Sequence, residues 1–236
     1  MMDITESVAR VKANIAAAAE KAGRRPEDIY LVAASKMNDS GRVREAIAAG
    51  IKICGENRVQ EMVEKQAQGA YEGAELHFIG HLQKNKVKQV VGLASLIQSA
   101  DSLELIRLID KTALSRGIVQ DILLEVNIGA EASKSGFSPA ELPAALDSIA
   151  QLPSVRVRGL MTIPPICSSR QEIEPYFVRM KQLFIDICGK KYDNIRMDFL
   201  SMGMSADYEA AIACGANMVR VGSAIFGARI YPDRQV

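Results

Sequence analysis

Residues 29–36 read Ile-Tyr-Leu-Val-Ala-Ala-Ser-Lys, a nearly continuous apolar run from Ile29 to Ala34 that breaks at once into a serine and a lysine. A short run with no polar face is the signature of a strand buried on both sides, as parallel strands are. Before it, Ile4, Val8, Val11 and Ile15 recur at helical spacing. Asp3 with Glu6 caps that segment and Gly23 stops it, so an amphipathic helix within Met1 to Gly23 precedes the strand. After it the alternation continues. Val43 and Ile47 sit on a helix ending at Gly50, followed by a strand from Ile51 to Cys54. Val59, Met62, Val63 and Gln66 mark a helix, and Leu76 to Ile79 a strand. Lys84 to Val91 reads as a helix and Leu96 to Ser99 as a strand. Leu103 to Arg116 is helical, and Ile122 to Ile128 extended. Ser138-Pro139-Ala140-Glu141 is a capping box that starts a helix running to about Leu152, before a strand from Val155 to Met161. Tyr176, Met180 and Phe184 share a helix face. Met197 to Ser201 and Met218 to Val221 are the last strands, separated by a helix from Ala206 to Cys214.

About eight strands alternating with helices is the count that closes a (β/α)8 TIM barrel. An open doubly wound sheet rarely needs so many units in so short a chain. The expectation is a single α/β domain over residues 1–236 with one extra N-terminal helix. Hydrophobic residues make up 48% and charged residues 24%, an ordinary globular balance, and the net charge of +1 gives no global field for nucleic acid or an anionic membrane. Any bound anion must be held locally. Cys54, Cys167, Cys188 and Cys214 form no C-x-x-C pair and read as reduced, packed thiols. With no targeting pattern and no apolar run of membrane-spanning length, a soluble cytoplasmic protein is expected.

Barrel enzymes place their chemistry at the C-terminal ends of the strands, so the residues after each strand matter most. They are Ser35-Lys36, Gly55-Glu56-Asn57, His77 leading to Gly80-His81, Asn127, Met161-Thr162, Ser201-Met202-Gly203-Met204-Ser205, and Arg220 leading into Gly222-Ser223. Lys36 follows a buried strand, where desolvation favours the neutral amine that Schiff-base chemistry requires. On position alone it reads equally well as a lysine reaching to solvent. The last two loops resemble the phosphate site of this fold: glycines admit backbone N–H groups, serines donate, and a helix start favours negative charge. Ordinary glycine turns and a serine N-cap would look the same. Taken together, a lysine and a phosphate loop at one mouth suggest a phosphorylated aldehyde, of which pyridoxal phosphate is the common one.

Other signals read more simply. His77 and His81 flank Gly80 off any common helix face and suggest no metal site. Lys84, Lys86 and Lys88 make a solvated face, and Glu56, Asp101 and Asp207 read as helix caps. Most of the ten methionines are core filler, with Met161, Met202 and Met204 the exceptions.

The stretches ASK at 34–36, GENRVQE at 55–61, HFIGHLQKNK at 77–86, SKSGF at 133–137, RGLMTIPP at 158–165, SMGMSADYEAAIACGA at 201–216 and VRVGSAIFGAR at 219–229 resemble the pyridoxal phosphate homeostasis proteins (the YggS/PROSC group). The resemblance runs in order over nearly the whole chain. It implies a barrel similar to the N-terminal domain of alanine racemase, holding pyridoxal 5′-phosphate as a covalent aldimine on Lys36. Asn57 would lie beside the ring, with His77 and Met161 lining the pocket. Ser201, Gly203, Gly222 and Ser223 would hold the phosphate, helped by Met202 and Ser205, and Arg220 would face the pyridine nitrogen. Met37-Asn38-Asp39 falls where members of the family vary.

A guanidinium cannot readily accept a proton, so a ring nitrogen facing it stays unprotonated and the ring is a weak electron sink. Related racemases take a tyrosine from a second domain of a partner subunit. This chain ends at Val236, soon after the eighth strand, so that domain is expected to be absent and the protein to be a monomer. The implied function is non-catalytic holding of the cofactor in vitamin B6 homeostasis and amino-acid balance, with apo-enzymes that use pyridoxal phosphate as candidate partners. The competing readings are an amino-acid racemase and a class I aldolase-like barrel acting on a sugar phosphate through Lys36.

Overall fold

The computed structural model describes residues 3–131, 134–190 and 192–227. Met1, Ser133, the Ala228-Arg229 end of the last motif and Val236 lie outside the described residues. Eight parallel strands close in sequence order, each paired with the next and β8 with β1. They are β1 (Tyr30–Ala34), β2 (Ile53–Glu56), β3 (Glu75–Phe78), β4 (Leu96–Ala100), β5 (Gln120–Glu125), β6 (Val155–Met161), β7 (Ile195–Ser201) and β8 (Met218–Val221). Around them run α1 (Ile4–Lys21), α2 (Ser40–Ala48), α3 (Val59–Ala67), the single turn α4 (Val87–Val90), α5 (Leu103–Ser115), α6 (Leu142–Ile149), α7 (Arg170–Cys188), α8 (Tyr208–Ala213) and the short α9 (Ser223–Phe226). The expected (β/α)8 barrel with its extra N-terminal helix is what forms.

Strand alternation sorts the side chains into two cores. Ala33, Cys54, Phe78, Ile97, Ile122, Val157, Leu200 and Val219 face outward and join the helices in one continuous apolar belt. Val32, Ile53, Leu96, Leu123, Met161 and Met218 face inward and plug the barrel. Helix α1 starts on Asp3, whose carboxylate accepts from the Glu6 N–H at 3.1 Å. It is tied to the far end of the chain by Asn14 donating to Tyr208 Oη at 3.2 Å. Just beyond it, Arg24 donates to the Ala216 carbonyl at 2.6 Å.

The element boundaries differ from expectation where tertiary contacts override local pattern. Strand β2 begins and ends two residues later than Ile51 to Cys54, because Glu56 pairs within the sheet and is fully buried rather than capping a helix. Residues 84–91 form a 3-10 turn (Lys84–Lys86) and one α-helical turn, not a continuous helix. At the capping box the Ser138 N–H and hydroxyl both donate to Glu141 Oε2 at 2.8 Å, yet regular helix starts only at Leu142.

Candidate functional site

The sheet ends in an unusual turn around Lys36. Ser35 still pairs with the sheet through its N–H, which donates to the Gly55 carbonyl at 3.0 Å. Its hydroxyl faces outward beneath α3 and donates to Glu56 Oε1 at 2.7 Å. Alternation turns the next residue, the half-buried Lys36, to the inner side of the wall. Met37 then adopts φ 60°, a left-handed conformation uncommon for a residue with a side chain. Its N–H donates to Glu61 Oε2 at 2.7 Å. The Lys36 carbonyl accepts from Asn38 Nδ2 at 3.0 Å. Asn38 is in turn held by Arg42 Nε at 3.1 Å, and Arg42 reaches the Phe226 carbonyl on α9 at 2.5 Å.

Behind this turn lies a charged knot. Lys65 of α3 donates from Nζ to the Ser35 carbonyl at 2.9 Å and to Glu56 Oε1 at 2.7 Å, with Glu61 Oε2 at 3.4 Å. Tyr71 Oη also donates to Glu56 Oε1, at 3.0 Å. Burial first, and the Glu56 carboxylate second, push the Tyr71 phenol well up, so it stays protonated and able to donate.

Inside the barrel, one layer above the apolar plug, a second polar chain crosses from β8 to β3. Arg220 donates to Ser201 Oγ at 2.6 Å and to the Thr162 carbonyl at 2.8 Å. Ser201 Oγ donates to Gln98 Oε1 at 2.7 Å. Gln98 Nε2 lies 2.9 Å from His77 Nδ1, and His77 Nε2 lies 3.5 Å from Glu75 Oε2. Because a guanidinium only donates, every later direction follows: Ser201 gives its proton to Gln98, and the Gln98 amide gives its own to His77 Nδ1. Nε2 then carries the imidazole proton. Burial, opposed by Glu75, lowers the His77 pKa, which agrees with a neutral ring accepting at Nδ1.

Arg220 is buried, and burial lowers its pKa to about 10 against the pull of Glu125 and Asp207. Among the described residues it makes hydrogen bonds only to neutral acceptors. Nearby, burial and then Asp101 push the Glu125 carboxyl up to about 7.

The loops after β7 and β8 are joined by Ser205, whose Oγ accepts from the Gly222 N–H at 3.1 Å and the Ala224 N–H at 3.4 Å. Gly203 has φ 92° and sits so close to Tyr208 and Ala211 that a Cβ would fall 2.6 Å from the Ala211 Cβ. Its carbonyl accepts from the Arg220 N–H at 3.0 Å, which ties this loop to β8. Ser223 is exposed at the start of α9. Across the mouth, Asn57 Oδ1 is buried without a hydrogen-bond partner. The backbone of Asn57 presses on Gly80, where a Cβ would lie 2.2 Å from the Asn57 carbonyl oxygen.

Thus Lys36, Asn57, Gly203, Ser205, Arg220, Gly222 and Ser223 all stand at the C-terminal ends of the strands. Ser201 and His77 lie one layer down in the polar chain, and Met161 in the apolar plug beneath. Met202 is set apart: its side chain is in the outer belt and its N–H donates to the Met218 carbonyl at 3.1 Å. Sequence reasoning missed Gln98, Lys65 and Glu61. A glutamine inside the apolar stretch Leu96-Ile97-Gln98-Ser99 was the available signal for the first. Two clefts, one beside Tyr71 and Leu93 and one beside Lys12 and Tyr30, open at the opposite end of the strands. Neither gathers a comparable set of groups.

The profile of the family described as alanine racemase, N-terminal domain, matches residues 7–230. The "Pyridoxal phosphate homeostasis protein" of Aquifex aeolicus is 42% identical over 230 residues, covering 98% of this chain and 100% of that protein. The protein of the same name from Escherichia coli K12 is 41% identical over 238 residues, covering 99% and 100%. Among solved structures, PipY of Synechococcus elongatus PCC7942 with PLP bound superposes with TM-score 0.82 at 33% identity, covering 95% of this chain and 100% of that one. Alanine racemase of Clostridium difficile in complex with cycloserine shares the fold at TM-score 0.73 and 17% identity, with 100% of this chain covering 62% of that one.

Proposed function

The chain belongs to the alanine racemase N-terminal domain family and, within it, to the pyridoxal phosphate homeostasis proteins, and from that premise we propose that it holds pyridoxal 5′-phosphate at the barrel mouth, anchored on Lys36, without turning over a substrate. The residues present fit the group. Asn57 Oδ1 is a buried acceptor in want of a donor, and Arg220 is a buried cation bonded only to neutral atoms. Gly203, Ser205, Gly222 and Ser223 form the phosphate side, with Ser201, His77 and Met161 supporting from below.

When bound, the cofactor would supply an aldehyde, with Lys36 the amine that would hold it. The chain's own residues do the rest. Arg220 presents donors and no acceptor, so a ring nitrogen held against it would stay without a proton, and this suits a holding protein better than one that labilises bonds at an amino acid. The chain from Arg220 to His77 keeps the floor of the site in one protonation pattern. Glycines 203 and 222 keep the phosphate loops free of Cβ bulk. In this reading the protein serves vitamin B6 balance, with cofactor-requiring apo-enzymes as recipients.

One observation carries the reading: Lys36 and a buried arginine that, among the described residues, hydrogen-bonds only to neutral acceptors share one mouth with the serine–glycine loops. The test is the visible spectrum of the purified protein with and without added cofactor, in wild type and Lys36→Ala, followed by borohydride reduction and peptide mapping. A band lost in the variant and a reduced adduct on Lys36 are expected. A protein that stays colourless with added cofactor, yet is trapped by borohydride with a ketose phosphate, would instead make it an aldolase-like barrel.

A further inference from the structure

The peptide groups on both sides of Lys36 are gripped by side chains of α3, and the hydroxyl of Ser35 by Glu56 at the end of β2. Lys65 Nζ takes the Ser35 carbonyl at 2.9 Å, Glu61 Oε2 takes the Met37 N–H at 2.7 Å, and Glu56 takes the Ser35 hydroxyl at 2.7 Å. The left-handed φ of 60° at Met37 has a cost of about 1–2 kcal/mol for a residue with a Cβ, and the charge-assisted bond to Glu61 offsets it. Burying Lys65 and Glu56 is costly as well unless they are mutually satisfied. Neither feature is needed to close the barrel, since β1 already pairs with β2 and β8. What they fix is the direction in which the Lys36 side chain leaves the wall.

We propose that Glu61 and Lys65 are positioning residues for Lys36: they hold the backbone before and after it so that its amine meets the cofactor aldehyde in a reactive geometry. This inference rests on the reading of Lys36 as the anchor. Small misplacements of a reacting group cost rate far more than affinity, so the effect belongs in the rate of condensation rather than in cofactor recognition.

The test uses the full chain. The rate of borohydride-trappable attachment of pyridoxal phosphate to Lys36 is measured beside the affinity for pyridoxine 5′-phosphate, which lacks the aldehyde. Hydrogen exchange of the Met37 amide is followed without either ligand. In Glu61→Ala, attachment slows by about tenfold or more, Met37 exchanges faster, and pyridoxine phosphate affinity stays within about twofold of wild type. Glu61→Gln keeps an acceptor for the Met37 N–H and recovers most of the rate. Arg58→Ala, which removes only the exposed partner of Glu61 at 3.6 Å, behaves as wild type. Lys65→Arg keeps the charge beside buried Glu56 that Lys65→Met would remove, and gives a smaller slowing than Glu61→Ala. Unchanged attachment in Glu61→Ala despite faster Met37 exchange would overturn the proposal. So would a parallel loss of pyridoxine phosphate affinity, the mark of general damage. If wild-type Lys36 is itself never trapped, the functional reading fails and the positioning role falls with it, whatever Met37 exchange shows.

Discussion

The two ends of this barrel each hold a buried or half-buried arginine, and they use it in opposite ways. At the strand starts, Arg158 donates to Asp121 Oδ2 at 2.6 Å and to Asp198 Oδ2 at 2.5 Å, and stacks 5.1 Å from the centre of the Phe199 ring. Arg156 grips Asp121 from the other side at 2.7 and 2.9 Å. Burial would lower the Arg158 pKa, but its two carboxylates outweigh it and the net shift is upward. At the strand ends, Arg220 has a hydroxyl and a carbonyl instead, and its shift is downward. One end pairs its charges in direct contact; the other holds a cation bonded to neutral atoms, with the Glu125 and Asp207 carboxyls acting on it only from a distance. Between them the plug of Val32, Ile53, Leu96, Leu123, Met161 and Met218 keeps the two apart. On the proposed reading, the floor serves stability and the mouth serves binding.

The largest effect should come from Arg220→Met. Pyridoxal phosphate affinity, measured by absorbance titration, falls by roughly 100-fold through loss of charged hydrogen bonds. The melting temperature of the cofactor-free protein changes little, because loss of a buried charge offsets the acceptors left unpaired at Ser201 and Thr162. A clear drop in that melting temperature would erase the contrast between the ends. Next is Gln98→Leu, which cuts the polar chain and leaves Ser201 and His77 each short of a partner. Chemical denaturation should show a loss of about 2 kcal/mol, and nitrogen chemical shifts should show His77 losing its single tautomer. Arg158→Met should cost about 1 kcal/mol, or roughly 2–4 °C in melting temperature, with cofactor affinity unchanged; a weakened affinity would mean the floor reaches the mouth.

The last effect is a pH dependence. Glu125 keeps its proton in the folded chain up to about 7, whereas its ordinary value is 4.5. The unfolded chain therefore releases that proton first, and stability contributed by the neutral carboxyl is lost as pH rises between those values. Glu125→Gln should flatten the wild-type decline in melting temperature between pH 5 and 8, by several degrees. A decline of equal slope in both proteins would assign it to another group.

Much of this was readable from the chain. Val155–Met161 and Met218–Val221 fall where the apolar runs place them, because buried parallel strands leave few choices for polar residues. The mouth residues were legible for the same reason: polarity returns where the strands end. Partners distant in sequence were not. Glu56 looked like a strand exit because nothing local reveals that Lys65 and Tyr71 would accompany it into the interior. Gln98 and Ser201 lie 103 positions apart, and only barrel closure makes them neighbours. Met37 is neither glycine nor asparagine, and the Asn38 that follows does not announce that the left-handed backbone falls one residue before it.

The contact of Gly80 with the Asn57 backbone has a mechanical side. With a virtual Cβ only 2.2 Å from the Asn57 carbonyl oxygen, the loops after β2 and β3 touch main chain to main chain with no side chain between them as a cushion. They form one rigid lip of the mouth, so a displacement at Asn57 is handed directly to Gly80 and onward to Ser99, whose hydroxyl donates to the Gly80 carbonyl at 2.5 Å. Three successive strands thereby register whatever presses on the single unpartnered oxygen of Asn57.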